Sequence, residues 1–421
     1  MTMNIKCCNG STQQKEGNTI KVCFLISEHP FLDARIFHKE AKSLLNKGHD
    51  ITMIVPRKNG YLFDTDGTPF IDKFLSSSFS YKGIKIITYE QEHLEKNLKT
   101  LHHDLHSNRS GTFRSILAKL GAKQQADIYH AHEFASWYAG LEIKRNLTAM
   151  GKKCKLIFDS HEIEPDPLIK QAKPVLQLKK DLVQRMLHET DFVITVSPSI
   201  KAWYKKLDSS IPIDIIYNSP PLTVPSPLPK ENNIQELTLG FEGRIDKKRI
   251  DLQKLIQVAE YCNQSFPLNL KIIGAGANTK QNITIPSHLK HRIHFTGWVP
   301  YHQLPKALKD VDIGYIHVHS TASLNERFAM PNKFFSYLNN GIPVIVNECD
   351  DMKEFIENFQ CGHVIKKAQA DPYDYYEALL HYSKHRKTLF KMGARGREIL
   401  EKQYSWEHME KKPAKIYDQL K

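Results

Sequence analysis

The sequence predicts two α/β domains, each built on a doubly wound parallel sheet, that face each other across a cleft. Short, unbroken apolar runs alternate with helical patterns from residue 20 almost to the end of the chain. Such runs are typical of parallel strands that helices cover on both faces. A proline-rich stretch interrupts the alternation near residue 230, and 421 residues are enough for two domains of about 200 residues each.

The apolar runs predict seven strands in the first domain and five in the second. They are Val22–Ile26, Ile51–Val55, Ile84–Tyr89, Asp127–His132, Leu156–Ser160, Phe192–Val196 and Ile213–Tyr217, then Leu237–Phe241, Leu270–Ile273, Ile293–Thr296, Ile313–Val318 and Pro343–Val346. A helix is predicted at Ala34–Lys47, because apolar side chains recur there at helical spacing and Gly48 follows as a stop signal. Ligands of doubly wound sheets bind beyond the carboxyl ends of the strands, so functional residues are expected at the junctions from strand to helix.

Composition predicts the domain boundaries and the compartment. We expect a disordered leader at residues 1–18, a first domain at 19–219, a proline-rich linker at 220–235 and a second domain at 236–403. The leader lacks the apolar core of a secretion signal, and no stretch approaches the roughly 18–20 apolar residues of a membrane span. The seven cysteines form no CxxC pair, which favours a reducing cytoplasm and argues against a structural zinc ion.

The formal charge of the chain is +13, and the basic residues are spread over both halves. Nucleic acid is one class of partner for such a charge, but no motif of nucleic-acid binding accompanies it. The phosphates of a bound ligand or an anionic membrane surface explain the charge equally well. We therefore predict no nucleic-acid partner.

Two junctions of the second domain carry clustered cations. In the segment FEGRIDKKR, at 241–249, Arg244 is followed about one helical turn later by Lys248 and Arg249. Fixed cations around one strand end suit a diphosphate, although a solvated basic turn is the alternative interpretation. In the second junction, Pro331 suits the first turn of a helix whose N–H groups receive phosphate, and Lys333 adds a cation. An ordinary buried unit of helix and strand is the alternative there.

Histidines end two strands of the first domain. His161 lies in the DSHE segment at 159–162, at the end of a strand, where its imidazole can hydrogen-bond a substrate or transfer a proton, although a structural histidine is more common. His130 and His132 are two positions apart and lie on one strand face. Metal ligation by this pair is conceivable, but no third ligand at a fitting spacing is evident, so we predict no metal. A GxG at Gly274 is a weak dinucleotide signal, since Thr279 stands where a third glycine is needed.

Together these motifs resemble the family-4-type glycosyltransferases of bacterial surface-polysaccharide and glycoconjugate assembly, over roughly residues 20–410. The first matching segments are HP at 29–30, DARI at 33–36 and KEA at 39–41, which resemble the first loop and helix of the family, and YSW at 404–406 resembles the start of its last helix. The other matching segments are HAH at 130–132, DSHE at 159–162, VSPS at 196–199, YNSP at 217–220, GRIDKKR at 243–249, IIGAG at 272–276, FTGWVP at 295–300 and MPNKFFSYLNNGIPVI at 330–345. The resemblance implies the GT-B fold, in which two Rossmann-like domains face a cleft. It also implies that a last helix, at 404–421, crosses back onto the N-terminal domain.

The resemblance also implies roles for individual residues. Arg244 with Lys248 or Arg249 would hold the donor diphosphate, Asn332 and Lys333 would line the phosphate and sugar pocket, and Trp298 and Val299 would flank the base. His161 would be the catalytic residue beside the donor sugar. Asp33, Arg35 and His132 would lie on the acceptor side, with the first two at the mouth of the cleft.

One departure from the family pattern concerns two glutamates, which family members usually carry eight positions apart. Phe328 and Ser336 occupy these positions here, and Glu326 is the candidate replacement. The second glutamate binds ribose hydroxyls in the family. We therefore expect that Ser336 weakens nucleotide binding and that Ser336→Glu tightens it.

These observations predict an enzyme that transfers a sugar, with retention of configuration, from a nucleotide sugar to a glycan or lipid-linked acceptor. No metal or other cofactor is expected, because arginine and lysine neutralise the leaving diphosphate. We expect the enzyme in the cytoplasm, either free or in peripheral contact with the inner face of the membrane. Two alternatives stay open, a degenerate transferase that serves as a partner or scaffold subunit and a nucleotide-sugar epimerase of similar architecture.

Overall fold

The computed structural model describes residues 19–93, 97–107, 113–223, 236–245, 252–274 and 284–421. These residues form two α/β domains, which confirms the predicted fold class. The expected leader, residues 224–235 of the expected linker, and the basic residues Lys248 and Arg249 lie outside the described residues.

The N-terminal sheet has eight strands in the order β3-β4-β2-β1-β5-β6-β7-β8. They are β1 (Lys21–Ile26), β2 (Asp50–Arg57), β3 (Ser78–Tyr81), β4 (Ile84–Glu90), β5 (Ile128–His132), β6 (Lys155–Ser160), β7 (Phe192–Thr195) and β8 (Ile213–Ile215). Neighbouring strands are parallel except for β3, which pairs antiparallel with β4. Successive residues of β1 enter two different apolar clusters, so both faces of this sheet are covered.

The helices of this domain are α1 (Lys42–Asn46), α2 (Leu98–His106), α3 (Ile116–Gln124), α4 (Phe134–Ala149), α5 (Lys173–His188) and α6 (Pro198–Leu207). The predicted helix at Ala34–Lys47 is present but irregular. It begins with a π-helical segment at Ile36–Ala41 and continues as α1. Single π-helical turns are frequent at functional sites, and this one directly follows Arg35.

The C-terminal sheet has six parallel strands in the order β11-β10-β9-β12-β13-β14. They are β9 (Leu237–Glu242), β10 (Leu268–Ile273), β11 (Ile293–Gly297), β12 (Ile313–Ile316), β13 (Val344–Asn347) and β14 (Gly362–Ile365). The helices are α7 (Leu252–Asn263), α8 (Leu304–Leu308), α9 (Leu324–Arg327), α10 (Asn332–Asn339), α11 (Asp350–Phe359), α12 (Pro372–Lys384), α13 (Arg386–Ile399), α14 (Trp406–Met409) and α15 (Lys411–Leu420).

All twelve predicted strands are present, and the sequence analysis missed β3 and β14. The strand order reverses at β1, between β2 and β5, and at β9, between β10 and β12. Ligands of such sheets bind in the crevice beyond the strand ends at these reversal points. The carboxyl ends of β1, β5 and β6 and of β9 and β12 are therefore the places to examine.

The two domains contact each other directly beside these strand ends. The side-chain amide of Asn325, on α9, accepts from the backbone N–H of Ile163 at 2.6 Å and donates to its carbonyl at 3.1 Å. Ser323 donates to the carboxylate of Asp166 at 2.8 Å. The segment that follows His161 is thereby fixed against the C-terminal domain.

The C-terminal helices return to the N-terminal domain. The indole N–H of Trp406 donates to the hydroxyl of Ser43 at 3.0 Å, and the hydroxyl of Tyr417 lies 2.7 Å from Nδ1 of His130. Trp406, Met409, Ile416 and Tyr417 are all buried in the apolar cluster that contains β1. In the described ranges of the chain, none of the helices combines the length and the apolar character that crossing a membrane requires.

Candidate functional site

A buried guanidinium group organises the carboxyl ends of the N-terminal strands. Nε and Nη2 of Arg35 donate to the two carboxylate oxygens of Asp159 at 3.0 and 2.9 Å. Nε also lies 2.9 Å from Oε1 of Glu40. All three side chains are buried, so this interaction ties the π-helical segment to the end of β6.

The two carboxyl groups around Arg35 are shifted in opposite directions. Burial alone would raise the pKa of Asp159, but Arg35 and His161 hold it well below its usual value. At Glu40 burial prevails over the same arginine and raises the pKa well above its usual value. Asp159 therefore carries the negative charge that pairs with Arg35, whereas burial makes Glu40 hold its proton more readily than an exposed carboxyl group does.

Two stacked imidazoles lie beside this ion pair. The rings of His130 and His132 are 4.6 Å apart, as expected for side chains two positions apart on one strand. Burial lowers the pKa of His130 to about 4 and the pKa of His132 well below its usual value, so both rings are neutral. The Nε2 atom of each is buried and has no hydrogen-bond partner among the residues that the structure describes.

These two histidines do have further potential metal ligands nearby. The ligand atoms of Glu40, His130, His132 and Asp159 all lie within 4.8 Å of one another. The sequence-based argument against a metal was therefore wrong on this point, because the additional ligands come from distant parts of the chain. The guanidinium of Arg35 already contacts both carboxyl groups, however, and a divalent cation would lie beside this fixed positive charge. Activity without metal stays a prediction.

His161 follows β6 and reaches the surface of the cleft. Its side chain is 19% exposed, and its Nε2 lies 3.6 Å from Oδ2 of Asp159 and 3.5 Å from Nδ1 of His132. Burial lowers the pKa of His161 by more than Asp159 raises it, so the imidazole is neutral near pH 7. A neutral imidazole that a carboxylate orients can hydrogen-bond a substrate hydroxyl or take part in proton transfer.

A second acid and imidazole pair lies at the ends of β1 and β5. Glu133 has a φ of 69°, which is uncommon for a residue other than glycine, and its carboxylate accepts from the N–H and O–H of Ser27. Nε2 of His29 lies 3.2 Å from Oε1 of Glu133. Burial raises the pKa of Glu133 to about 7. Burial opposes protonation of His29, but Glu133 and Asp33 outweigh it and raise its pKa. The pKa values of both groups are therefore raised above their usual ranges.

The acceptor-side residues expected from the resemblance do not all line the cleft. Arg35 is 3% exposed and His132 is fully buried, so the expectation for these two residues needs correction. Both side chains face inward behind His161, where they form the ion-pair cluster. Asp33 remains partly accessible, and its Oδ1 accepts from the backbone N–H groups of Arg35 and Ile36.

In the C-terminal domain, the two cationic junctions meet at one point. A Cβ atom at Gly243 would lie 3.4 Å from Nζ of Lys333, and the same Nζ lies 4.5 Å from the ring centroid of Phe241. Arg244 is the next residue along the chain and is exposed. The end of β9 and the first turn of α10 thus present their cations together.

Close packing of the backbone explains why the first residue of the GxG segment, Gly274, is a glycine. Gly274 has a φ of 143°, and a Cβ atom there would lie 1.9 Å from the carbonyl oxygen of Gly243. Only glycine permits this approach of β10 to the junction after β9. Packing against Gly243 therefore accounts for Gly274 without a dinucleotide site.

The N-terminus of α10 is suited to an anion. Pro331 is the N-cap residue and so lies one position before the first turn in which the sequence predicted it. Within the described part of the chain, no side chain caps this helix. Asn332 is the first helical residue and is exposed. The backbone N–H groups and the positive end of the helix dipole favour a negative ligand beside Lys333.

The segment after β11 approaches both domains. Trp298 is 39% exposed and offers an aromatic face, whereas Val299 is half-buried against the apolar cluster of the C-terminal domain. Tyr301 in the same segment lies near carboxylates of both domains. Tyr301 is 38% exposed, yet partial desolvation of its hydroxyl raises the pKa, and Glu242 and Asp33 raise it further.

Phe328 and Ser336, which occupy the positions of the two family glutamates, lie in different surroundings from each other. Phe328 packs against the apolar core of the N-terminal domain, and Ser336 is buried on α10. Glu326 accepts from the backbone N–H of His319 at 2.5 Å and so holds its own loop. The carboxyl group that contacts Ser336 belongs to Glu242, the last residue of β9.

Sequence reasoning missed four members of this site, Glu40, Glu133, Glu242 and Tyr301. Glu133 and Glu242 stand directly at strand ends, which is the signal that would have found them. Glu40 offers no such signal, because it lies on a helix and comes close to Asp159 only when this helix packs beside β6. Tyr301 follows the FTGWVP segment, but proximity to both domains is not readable from the sequence.

Two family models match the chain, and between them they cover most of its length. A model described as glycosyltransferase family 4 matches residues 34–220, and one described as glycosyl transferases group 1 matches residues 236–385. The chain belongs to the family-4-type glycosyltransferases of the GT-B fold. None of the curated proteins shows significant sequence similarity to it.

Solved structures show the same fold at low sequence identity. Sucrose-phosphate synthase from Thermosynechococcus elongatus is 15% identical, with a TM-score of 0.62 over 95% of this chain and 99% of that one. Anabaena HepE, in complex with UDP and glucose, is 13% identical, with a TM-score of 0.64 over 95% and 99%. A glycosyltransferase from Rickettsia africae is 15% identical, with a TM-score of 0.62 over 96% and 99%.

We expect Arg35→Met to lower the free energy of unfolding by about 3–5 kcal/mol, because the variant leaves Asp159 buried without its partner. Arg292→Met is the control, since Arg292 pairs at 2.8 Å with Glu236, which is 40% exposed. Its cost should stay below about 1 kcal/mol. Urea unfolding measures both. Equal, small effects would show that the cluster does not depend on the guanidinium.

Proposed function

We propose that this glycosyltransferase transfers a sugar, with retention of configuration and without a metal, from a nucleotide sugar to a glycan or lipid-linked acceptor. The observation that carries the proposal is the meeting of Lys333 with the Gly243 junction at the reversal point of the C-terminal sheet. Cations from two elements and an uncapped helix end converge there, which suits a diphosphate. Retention is included because the family resemblance implies it.

The chain supplies the charge that departure of a nucleoside diphosphate needs. Negative charge develops on the diphosphate when the bond to the sugar breaks, and preorganised cations stabilise it. Arg244, Lys333 and the N-terminus of α10 would do so here, which supports activity without a divalent ion. His161 would hydrogen-bond the sugar from the opposite side of the cleft.

A uridine nucleotide is the first donor to test. Anabaena HepE, which shares the fold, was solved in complexes with UDP and with UDP-glucose. At 13% identity this likeness does not transfer the specificity, so donors with other bases belong in the same panel.

The partner or scaffold alternative also has an observation in its favour. Phe328 replaces a usual glutamate and packs against the N-terminal core, which makes this position a contact between domains. A chain that has lost catalysis could retain such a contact. The two functions differ in whether any donor is consumed.

We expect the protein to hydrolyse or transfer at least one sugar from a panel of UDP-, GDP- and ADP-sugars, at similar rates in EDTA and in magnesium.

His161→Ala should lower turnover roughly 100-fold, because a positioned group for proton transfer or hydrogen bonding is lost. His363→Ala, on the edge strand β14, should leave the rate unchanged. A coupled assay of nucleoside diphosphate release measures all three proteins. No release from any donor would support the scaffold alternative, and rates restored only by a metal would refute the metal-independent mechanism.

Arg244→Ala should weaken binding of the donor by about 1.5–3 kcal/mol, the usual value of a charged hydrogen bond, and leave folding intact. Arg395→Ala is the matched control. Arg395 donates to the carbonyl of Gln360, which precedes the edge strand β14, and so lies away from the end of the central strand β9. Calorimetric titration with UDP, GDP and ADP gives both affinities. Equal affinities for the two variants would remove Arg244 from the donor site.

We further propose that the protein contacts an anionic membrane surface peripherally. Leu168 and Ile169 are 44% and 52% exposed, and they adjoin Lys170 and Lys173 at the start of α5. Exposed apolar side chains beside lysines favour the interface of an anionic bilayer. The segment directly follows the loop of His161, so a lipid-linked acceptor would approach the cleft from this side.

Liposome flotation tests the membrane contact. The wild-type protein should float with vesicles of phosphatidylcholine and phosphatidylglycerol, and it should bind less in high salt. The double variant Leu168→Ser/Ile169→Ser should bind at least about tenfold more weakly, since each apolar side chain contributes of the order of 1 kcal/mol. Met150→Ser, an exposed residue after α4, is the control. Equal binding of both variants would exclude this segment.

A further inference from the structure

Glu242 is a buried carboxyl group beside the proposed phosphate site at Gly243. The described residues leave one of its oxygen atoms without a hydrogen-bond partner. Glu242 is the last residue of β9, is 7% exposed and precedes Gly243 and Arg244. Its Oε2 atom is buried and has no hydrogen-bond partner among the described residues. Buried polar atoms in folded proteins are nearly always hydrogen-bonded, and an unsatisfied carboxylate oxygen is costly.

The surroundings of Glu242 are those of a binding group. Burial raises its pKa, while a hydrogen bond from the Ser336 hydroxyl and the charge of Lys333 act to lower it. The hydroxyl orients one end of the carboxyl group, and the lysine favours its ionised form. The remaining oxygen is then left for a donor that is absent from the chain itself.

We propose that Glu242 accepts hydrogen bonds from the ribose hydroxyls of the nucleotide sugar, in place of the glutamate that the family usually carries at the position of Ser336. The inference rests on the proposed donor function. Two adjacent hydroxyls suit one carboxylate, because both of its oxygens accept hydrogen bonds.

The contact between Ser336 and Glu242 means that a carboxylate at either position would reach the same pocket. The two side chains approach one common point, one from α10 and one from the end of β9. A carboxylate that moves from the helix to the strand therefore stays beside the same pocket. The small serine leaves room for it and donates the hydrogen bond that holds it.

This arrangement corrects the expectation that Ser336→Glu tightens nucleotide binding. A glutamate at 336 would meet the carboxyl group of Glu242 in a buried site, and two carboxylates in one site cannot both ionise easily. Ser336→Glu alone should therefore weaken binding. The exchange Glu242→Ser/Ser336→Glu should restore it, because the site again holds one carboxylate and one serine.

The decisive measurement compares ribonucleotides with 2′-deoxynucleotides in calorimetric titrations of the full-length protein. The probes are UDP, ADP and GDP with their 2′-deoxy counterparts, and the pair that binds most tightly is used throughout. The wild-type protein should prefer the ribonucleotide about tenfold, and Glu242→Gln should reduce that preference to about twofold. Glu236→Gln, at the amino end of the same sheet, should keep the tenfold preference.

Each other outcome has a definite meaning. A wild-type protein that binds both sugar forms equally overturns the assignment without any variant, so a variant that fails to fold does not obscure the result. Nucleotide binding with an unchanged preference in Glu242→Gln makes Glu242 a structural residue and leaves the donor function standing. If none of the six nucleotides binds to the wild-type protein, the donor function fails, and the role of Glu242 fails with it.

Discussion

The ion pair of Arg35 with Asp159 is the constraint on which the N-terminal half of the cleft depends. A buried guanidinium is tolerated only when its donors are satisfied, and here they are distributed over three parts of the chain. Nη1 donates to the carbonyl of Ile216 and to the side chain of Asn218, while Nε and Nη2 bind Asp159. One side chain therefore fixes the first helix, the end of β6 and the approach to the second domain.

The same ion pair sets the chemistry of His161. Asp159 retains its charge because Arg35 is present, and this charge orients the imidazole. Burial keeps the imidazole neutral. The cluster thus separates structural and reactive roles, since the ion pair and the stacked histidines lie inside and only His161 reaches the cleft.

The fold was largely predictable because both sheets are parallel and covered. Most central strands read as largely apolar runs, whereas β3 and β14 depart from this pattern for physical reasons. The antiparallel edge strand β3 alternates between exposed and half-buried residues, and β14 begins with a glycine and contains a half-buried histidine. Edge strands meet fewer apolar neighbours, so their sequences carry a weaker signal.

The candidate site was predictable in its location but not in its inner arrangement. Strand ends gave the positions of His161, Arg244 and Lys333, because parallel strands bring their carboxyl ends to one edge. Whether a polar side chain near the cleft faces the cleft or the interior depends on packing, and the side chain of Arg35 faces the interior. The carboxylate of Glu242 was hidden for a related reason, since its neighbour Ser336 comes from a helix more than ninety positions away.

Because the C-terminal helices pack on the N-terminal domain, this domain is synthesised first but cannot complete its core first. The N-terminal sheet is complete once β8 has left the ribosome, yet its apolar core still lacks Trp406, Met409, Ile416 and Tyr417. Domains generally fold as units during synthesis, the first one earliest. Here an apolar groove of the first domain stays uncovered until the second domain and these four residues have been synthesised. Trp406 and Tyr417 therefore belong to the core of the N-terminal domain, although they are synthesised after the second domain.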